Sequence, residues 1–166
     1  MIYKDAGDDK QWFTSDDTPL RYTQYNTERN GYIISSVRFI GPGVDKLWFT
    51  EDDEVDTYNA QTLDQNGKVL RYGTYVNAGK DGIWFTSDDM PGEYTQLIYD
   101  TDGKELKSIH YIDTGSDGEW YTPDDTLDGY TEYVYDSDGR LSQYRYFKNP
   151  GADGLWFTQD DIPYLY

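Results

Sequence analysis

Five times along the chain, three carboxylates and a threonine hydroxyl fall within nine residues. Asp9, Asp45, Asp81, Asp117 and Asp153 open the five frames, and Asp16-Asp17, Asp52-Asp53, Asp88-Asp89, Asp124-Asp125 and Asp160-Asp161 close them. Thr14, Thr50, Thr86, Thr122 and Thr158 stand two positions before each pair. With nearby backbone carbonyls, such a set can supply the roughly six to eight oxygens that Ca²⁺ takes, so all these aspartates are candidate calcium ligands. Without a cation the packed charges repel; with one, repulsion gives way to coordination. Mg²⁺ fits less well because it demands a rigid octahedral shell with retained water, and a chain with no Cys and only His110 argues against zinc. Gly82, Gly118 and Gly154, directly after the first acid, let the chain bend around an ion. Lys10 and Lys46 occupy that place in the first two frames, which points to weaker or empty sites there.

The same acids have a second use. Thr14-Ser-Asp-Asp17 fits a capping pattern, and aspartate readily closes Asx-turns, so the frame could shape a loop without metal. It also lacks the Asp-x-Asp-x-Asp-Gly run and closing Glu of an EF-hand. Both uses stay open on the residues; calcium is the expectation carried forward.

The elements that position these frames follow from a fixed period. Trp12, Trp48, Trp84, Trp120 and Trp156 recur every 36 residues, as do Gly7, Gly43, Gly79, Gly115 and Gly151. Tyr22, Tyr58, Tyr94, Tyr130 and Tyr166 form another column, and Tyr3, Phe39, Tyr75, Tyr111 and Phe147 a third. Self-similarity at one period marks a repeat array, whose units bury their apolar faces on neighbours. Between frames each unit reads as a β-hairpin: β-prone runs flank Asn30-Gly31, Asn66-Gly67, Asp102-Gly103 and Asp138-Gly139, dipeptides that accept the positive φ of tight turns. The acids at these turns are read as turn formers only. The Trp-aromatic-Thr core of each frame suggests a third short strand. No window keeps helical apolar spacing free of Gly or Pro, so helix is nearly excluded.

Composition narrows the classes. Aliphatic residues are scarce against 18 Tyr, so aromatic rings must build the core, each resting on its copy in the next repeat. Exposed, the same Trp and Tyr would form a sugar-stacking surface. A net charge of -18 disfavours nucleic acid and anionic membranes, and no apolar run reaches the ~20 residues of a membrane span. His110 shares its column with Arg38, Thr74 and Tyr146, as a solvent-facing position does. Catalysis needs a unique set of groups with separated pKa values, whereas repetition supplies five similar clusters, so no enzyme is expected.

The segment Tyr135-Asp-Ser-Asp-Gly-Arg-Leu141 resembles the YD repeat of bacterial RHS proteins, with Tyr99-Asp-Thr-Asp-Gly103 matching its first half. The Gly-x-Asp-Gly-x-Trp-Phe-Thr-x-Asp-Asp frame is similar to Asp-rich insertions of bacterial surface repeat proteins. These resemblances imply a bacterial, exported β-hairpin array at the cell surface or outside the cell. A chain of 166 residues is too short to form the enclosing shell of the longer YD proteins.

The resulting expectation is an all-β, solenoid-like tandem array of 36-residue hairpin repeats over residues 1–166, with four full units from about residue 5 to 148 and a partial fifth over 149–166. Met1-Ile2-Tyr3 aligns with Arg145-Tyr146-Phe147, so the chain opens within a unit and reads as a cut from a longer array that carries any export signal upstream; an intact small protein is the alternative. Ca²⁺ in the linking loops would clamp a structural surface module, with a cell-surface glycan or protein as partner. Two rivals stand beside it: a glycan-binding module, and an acidic immunity-type protein that mimics nucleic acid.

Overall fold

In the computed structural model, which describes residues 1–29 and 32–164, every regular element is a strand. They are β1 (Ile2–Asp5), β2 (Thr18–Arg29), β3 (Tyr32–Gly41), β4 (Glu54–Leu63), β5 (Val69–Asn77), β6 (Met90–Tyr99), β7 (Glu105–Asp113), β8 (Thr126–Tyr135), β9 (Leu141–Asn149) and β10 (Ile162–Tyr164). The strands hydrogen-bond in chain order as an open antiparallel meander, β1 through β10. Where the links are described, short turns join β4 to β5, β6 to β7 and β8 to β9, and the acidic frames join β1 to β2, β3 to β4, β5 to β6, β7 to β8 and β9 to β10. No helix among the described residues is long and apolar enough to cross a membrane.

The chain divides into two compact units, Met1–Gln61 with Thr74–Pro91, and Thr62–Gly73 with Gly92–Tyr166. In the first, Val37, Phe39, Tyr58, Ala60, Tyr75 and Phe85 form the buried core, with Tyr22, Val55 and Trp84 packed on it. In the second, Ile109, Tyr130 and Phe147 are buried beneath Tyr111, Leu127 and Trp156. Strand alternation puts these residues on one sheet face: Tyr22 lies opposite Phe39, Tyr94 opposite Tyr111, and Tyr130 opposite Phe147. The intervening positions pair as Thr23 with Arg38, Thr95 with His110, and Thr131 with Tyr146, which makes the other face polar.

The rings do not rest on their own copies. Residues 36 positions apart sit two strands apart, about 9.5 Å, which is too far for ring contact. Stacking instead joins different columns on adjacent strands, as in Tyr58 on Tyr75 at 4.6 Å and Tyr130 on Phe147 at 4.6 Å.

The short turns are tight, and only glycine takes positive φ there. Gly67, Gly103 and Gly139 have φ of 81°, 86° and 78°. Asp64, Asp100 and Asp136 stabilise them as Asx-turns: Asp64 Oδ1 accepts the Asn66 and Lys68 N–H groups, both at 2.8 Å. Asn30-Gly31 lies outside the described residues. Across two such turns of the second unit, Lys68 Nζ donates to the Gly103 carbonyl at 2.7 Å and sits 3.7 Å from the Tyr99 ring centroid.

The expected third strand does not form. Phe13, Phe49, Phe85, Tyr121 and Phe157 have φ near 70°, a left-handed conformation that breaks an extended run. Lys10 and Lys46 also adopt it, at 55° and 61°, so the bend that Gly82, Gly118 and Gly154 make is kept with a side chain present.

Two glycines in one loop separate steric closeness from backbone freedom. A Cβ at Gly79 would lie 2.2 Å from the Asp88 carbonyl oxygen, whereas a Cβ at Gly82 meets no atom within 4 Å; both residues have positive φ. In urea unfolding Gly82→Ala is expected to cost about 1 kcal/mol, and Gly79→Ala at least ~2 kcal/mol more. At the equivalent bend Lys46→Gly is expected to gain up to about 1 kcal/mol, since it removes left-handed strain.

Candidate functional site: the acidic loops

Each acidic loop is a knot of hydrogen bonds around two carboxylates with different tasks. The first of the pair ties the loop to its own entry. Asp52 Oδ2 accepts the N–H groups of Val44 at 2.7 Å and Asp45 at 3.0 Å. Asp16, Asp88, Asp124 and Asp160 do the same in their loops. The opening acid closes an Asx-turn, as where Asp45 Oδ1 accepts Leu47 N–H at 2.7 Å.

The second acid of each pair is buried: Asp17, Asp53, Asp89, Asp125 and Asp161 are at most 8% exposed. A buried carboxylate is tolerated only when its lone pairs are filled. Asp89 Oδ2 takes the N–H of Phe85 at 2.7 Å, the very residue held at positive φ. It also takes the hydroxyl of Tyr58 at 2.6 Å, from 31 residues earlier. The same bond joins Tyr22 to Asp53 at 2.6 Å, Tyr94 to Asp125 at 2.7 Å and Tyr130 to Asp161 at 2.5 Å.

That tyrosine is the centre of a ring cluster. Tyr58, 1% exposed, stacks on Tyr75, meets Trp84 edge-on at 6.0 Å and Phe85 at 5.0 Å. Tyr22, Tyr94 and Tyr130 repeat the arrangement with their own partners. The tryptophans lean on it from the side and are only half buried, except Trp12, which is exposed. Sequence reading placed the tyrosines in the core but missed their bond to the acid. The signal was present: two unbroken columns, Tyr and the second Asp, 31 residues apart.

The remaining oxygens gather on the threonine. Thr50 Oγ1 lies 3.0 Å from the Leu47 carbonyl, 3.4 Å from Asp45 Oδ1, 2.8 Å from Asp52 Oδ1 and 3.3 Å from Asp53 Oδ1. Thr14 has the same four neighbours in its loop. Around Thr86, Thr122 and Thr158 the carbonyl and both paired acids recur. A hydroxyl has one proton to give, so several acceptors compete for it. Among the described residues, however, no three acidic or imidazole groups form a ready metal cage. All fifteen candidate aspartates lie in these loops: the paired acids meet at the threonine in each, the opening acid reaches it in the first two, and the Oδ2 or Asx contacts are committed to the turn.

Asp16, Asp88 and Asp160 are held below the ordinary carboxylate pKa of 3.8, chiefly by their threonine hydroxyls. For Asp52 the leading cause is the Asp45 N–H, and for Asp124 the Ser116 hydroxyl. Tyr94 and Tyr130 are pushed above their ordinary 10.0 by burial first and by the bonded aspartate second. A depressed carboxylate contributes stability above its unfolded value that is lost as pH falls through the folded one. A raised tyrosine contributes below its unfolded value and loses that contribution as pH rises. In metal-free buffer, melting temperature is thus expected to hold level between about pH 4 and 10 and to fall on both sides. Removing only the hydroxyl in Tyr58→Phe should cost about 1–3 kcal/mol in denaturant melts, and Tyr58→Ala about 3–5 kcal/mol.

In comparison with known proteins, no family model, curated protein or solved structure matches the chain, so its function is argued from these loops.

Proposed function

We propose that the chain is a structural module: a solenoid-like array of 36-residue hairpin repeats whose acidic loops take up Ca²⁺ to stiffen the links between hairpins. The carrying observation is the oxygen gathering at each threonine. One carbonyl and the Oδ1 atoms of both paired acids lie within 3.5 Å of a hydroxyl that has a single proton. The two uses of the acids then divide by atom. Oδ2 of each paired acid shapes the turn through N–H donors, while Oδ1 faces a spot where like charge accumulates and a hard cation relieves it. The low pKa of the first acid keeps it ionised and ready to ligate. Five ions would relieve much of a net charge of -18.

An extracellular or surface setting suits such a module, since millimolar calcium there matches weak, exposed sites. The likeness to YD-type surface repeats supports the same setting. An array without a unique reactive group is a spacer or presenter, not an enzyme.

Saturating one site at ~100 times its dissociation constant adds ~2.7 kcal/mol when the unfolded chain does not bind. The expected result is a melting temperature that rises with calcium and returns in EGTA. Because an internal loop joins two hairpins, Asp88→Asn with Asp89→Asn should remove more of that rise than Asp160→Asn with Asp161→Asn. A melt that ignores both calcium and EGTA, on protein shown metal-free by elemental analysis, rejects the calcium clamp.

A further inference from the structure

Two acidic loops of the first unit hold aliphatic side chains out in solvent. Val44 is 92% exposed, Leu47 63% and Ile83 62%, although the backbone of each is fixed. Val44 N–H donates to Asp52 Oδ2 and Leu47 N–H to Asp45 Oδ1, both at 2.7 Å, while the Leu47 carbonyl accepts the Thr50 hydroxyl at 3.0 Å. Ile83 is held alike, through Asp81 Oδ1 at 2.7 Å and the Thr86 hydroxyl at 3.1 Å. Loop shape does not call for these side chains. Gln11 and Glu119 stand in the place of Leu47 and Ile83 in two other loops and make the same N–H bond, at 2.7 and 2.8 Å. Beside the aliphatic tips the chain places two exposed cations, Lys46 and Lys80. Exposed aliphatic side chains next to lysines have the composition of a surface that meets a membrane interface.

We propose that these tips dock the chain on an anionic phospholipid surface when calcium fills the loops, with Val44, Leu47 and Ile83 entering the headgroup layer and Lys46 and Lys80 meeting lipid phosphates. The inference rests on the calcium reading above and adds a partner to it. Aliphatic side chains gain by leaving water, and the lysines are drawn to the negative surface potential once they are within a Debye length. The acids oppose both effects. In the ion-free chain carboxylates outnumber lysines in each of the two loops, and a net charge of -18 repels a surface of like sign. A Ca²⁺ ion at the crowded Oδ1 atoms removes that repulsion at the tip itself. It also keeps room for lipid: the Leu47 carbonyl, the Thr50 hydroxyl and the carboxylates of Asp45, Asp52 and Asp53 fall short of the roughly six to eight oxygens calcium takes, so a phosphate oxygen can complete the shell. Calcium thus acts as the switch between a repelled and a docked chain.

The test sediments the chain with vesicles of phosphatidylcholine and phosphatidylserine, in about 1 mM calcium and in EGTA, beside vesicles of phosphatidylcholine alone. Binding is expected only on the phosphatidylserine vesicles and only with calcium. Val44→Ser with Leu47→Ser and Ile83→Ser should weaken it ~100-fold, and Lys46→Glu with Lys80→Glu ~10-fold. Because the chain has no cysteine, an environment-sensitive dye on a Leu47→Cys protein reads the tip alone, and its emission should shift to the blue on docking. Melting of the unsubstituted chain with calcium and with EGTA, read without vesicles, tests the calcium reading separately. A melt that responds to calcium while the vesicles stay bare overturns the docking alone, whereas an unresponsive melt with bare vesicles removes both. Binding that is equal in EGTA, equal on phosphatidylcholine alone, or unchanged by the serine substitutions also overturns the docking, as does a dye whose emission does not move.

Discussion

Everything distinctive about this fold depends on placing an ionisable carboxylate where water cannot reach it. Asp89 could not remain buried on packing alone, because an unpaired charge in low dielectric costs several kcal/mol. Its oxygens are filled by a backbone N–H, a threonine hydroxyl and a tyrosine hydroxyl. Each donor has a structural consequence. The N–H is delivered by turning Phe85 into the left-handed region, and that turn drops its ring onto Tyr58. The tyrosine hydroxyl, coming from β4, ties that strand to the loop ahead of β6. One acid thus fixes a loop conformation, an aromatic cluster and a link across an intervening strand.

This arrangement also explains how a chain short of aliphatic residues builds a core. Tyrosine can be buried as deeply as Tyr58 only if its hydroxyl has a partner, and the buried aspartate is that partner. The bond offsets part of the desolvation penalty of both residues, and the tyrosine gains most, since Asp17 is buried on the N–H groups of Phe13 and Thr14 and the Thr14 hydroxyl alone. The half-buried tryptophans then cover the cluster from the loop side, which accounts for their constant spacing without making them the deepest residues.

The acids divide their work by atom, and this bears on the choice between turn and cage. Within the loop the N–H donors engage Oδ2 of the paired acids and Oδ1 of the opening acid. The same geometry crowds Oδ1 atoms onto one hydroxyl, an arrangement of high negative potential in a chain already carrying -18. Under the calcium proposal the ion would neutralise the Oδ1 atoms that this geometry crowds together.

By itself the sequence determined the β character, the short turns at Gly67, Gly103 and Gly139, and the location of the acidic loops, because period, turn residues and strand propensity are local signals. It also placed Gly79 and its equivalents in a fixed column. Their reason was legible only afterwards, as the Asp88 carbonyl fills the space a Cβ would need. Tertiary structure alone decided that Asp52 and Asp53, adjacent in sequence, have unlike roles, one exposed and tied to the loop entry, the other buried beneath Tyr22. It decided too that Phe49 turns left-handed instead of extending a strand, and that rings stack between columns instead of along them. The physical reason is common to all three. Each depends on which groups meet across two strands, a distance set by 4.6 Å ring contacts and a hydroxyl reaching an acid 31 residues away, and no local pattern encodes that meeting.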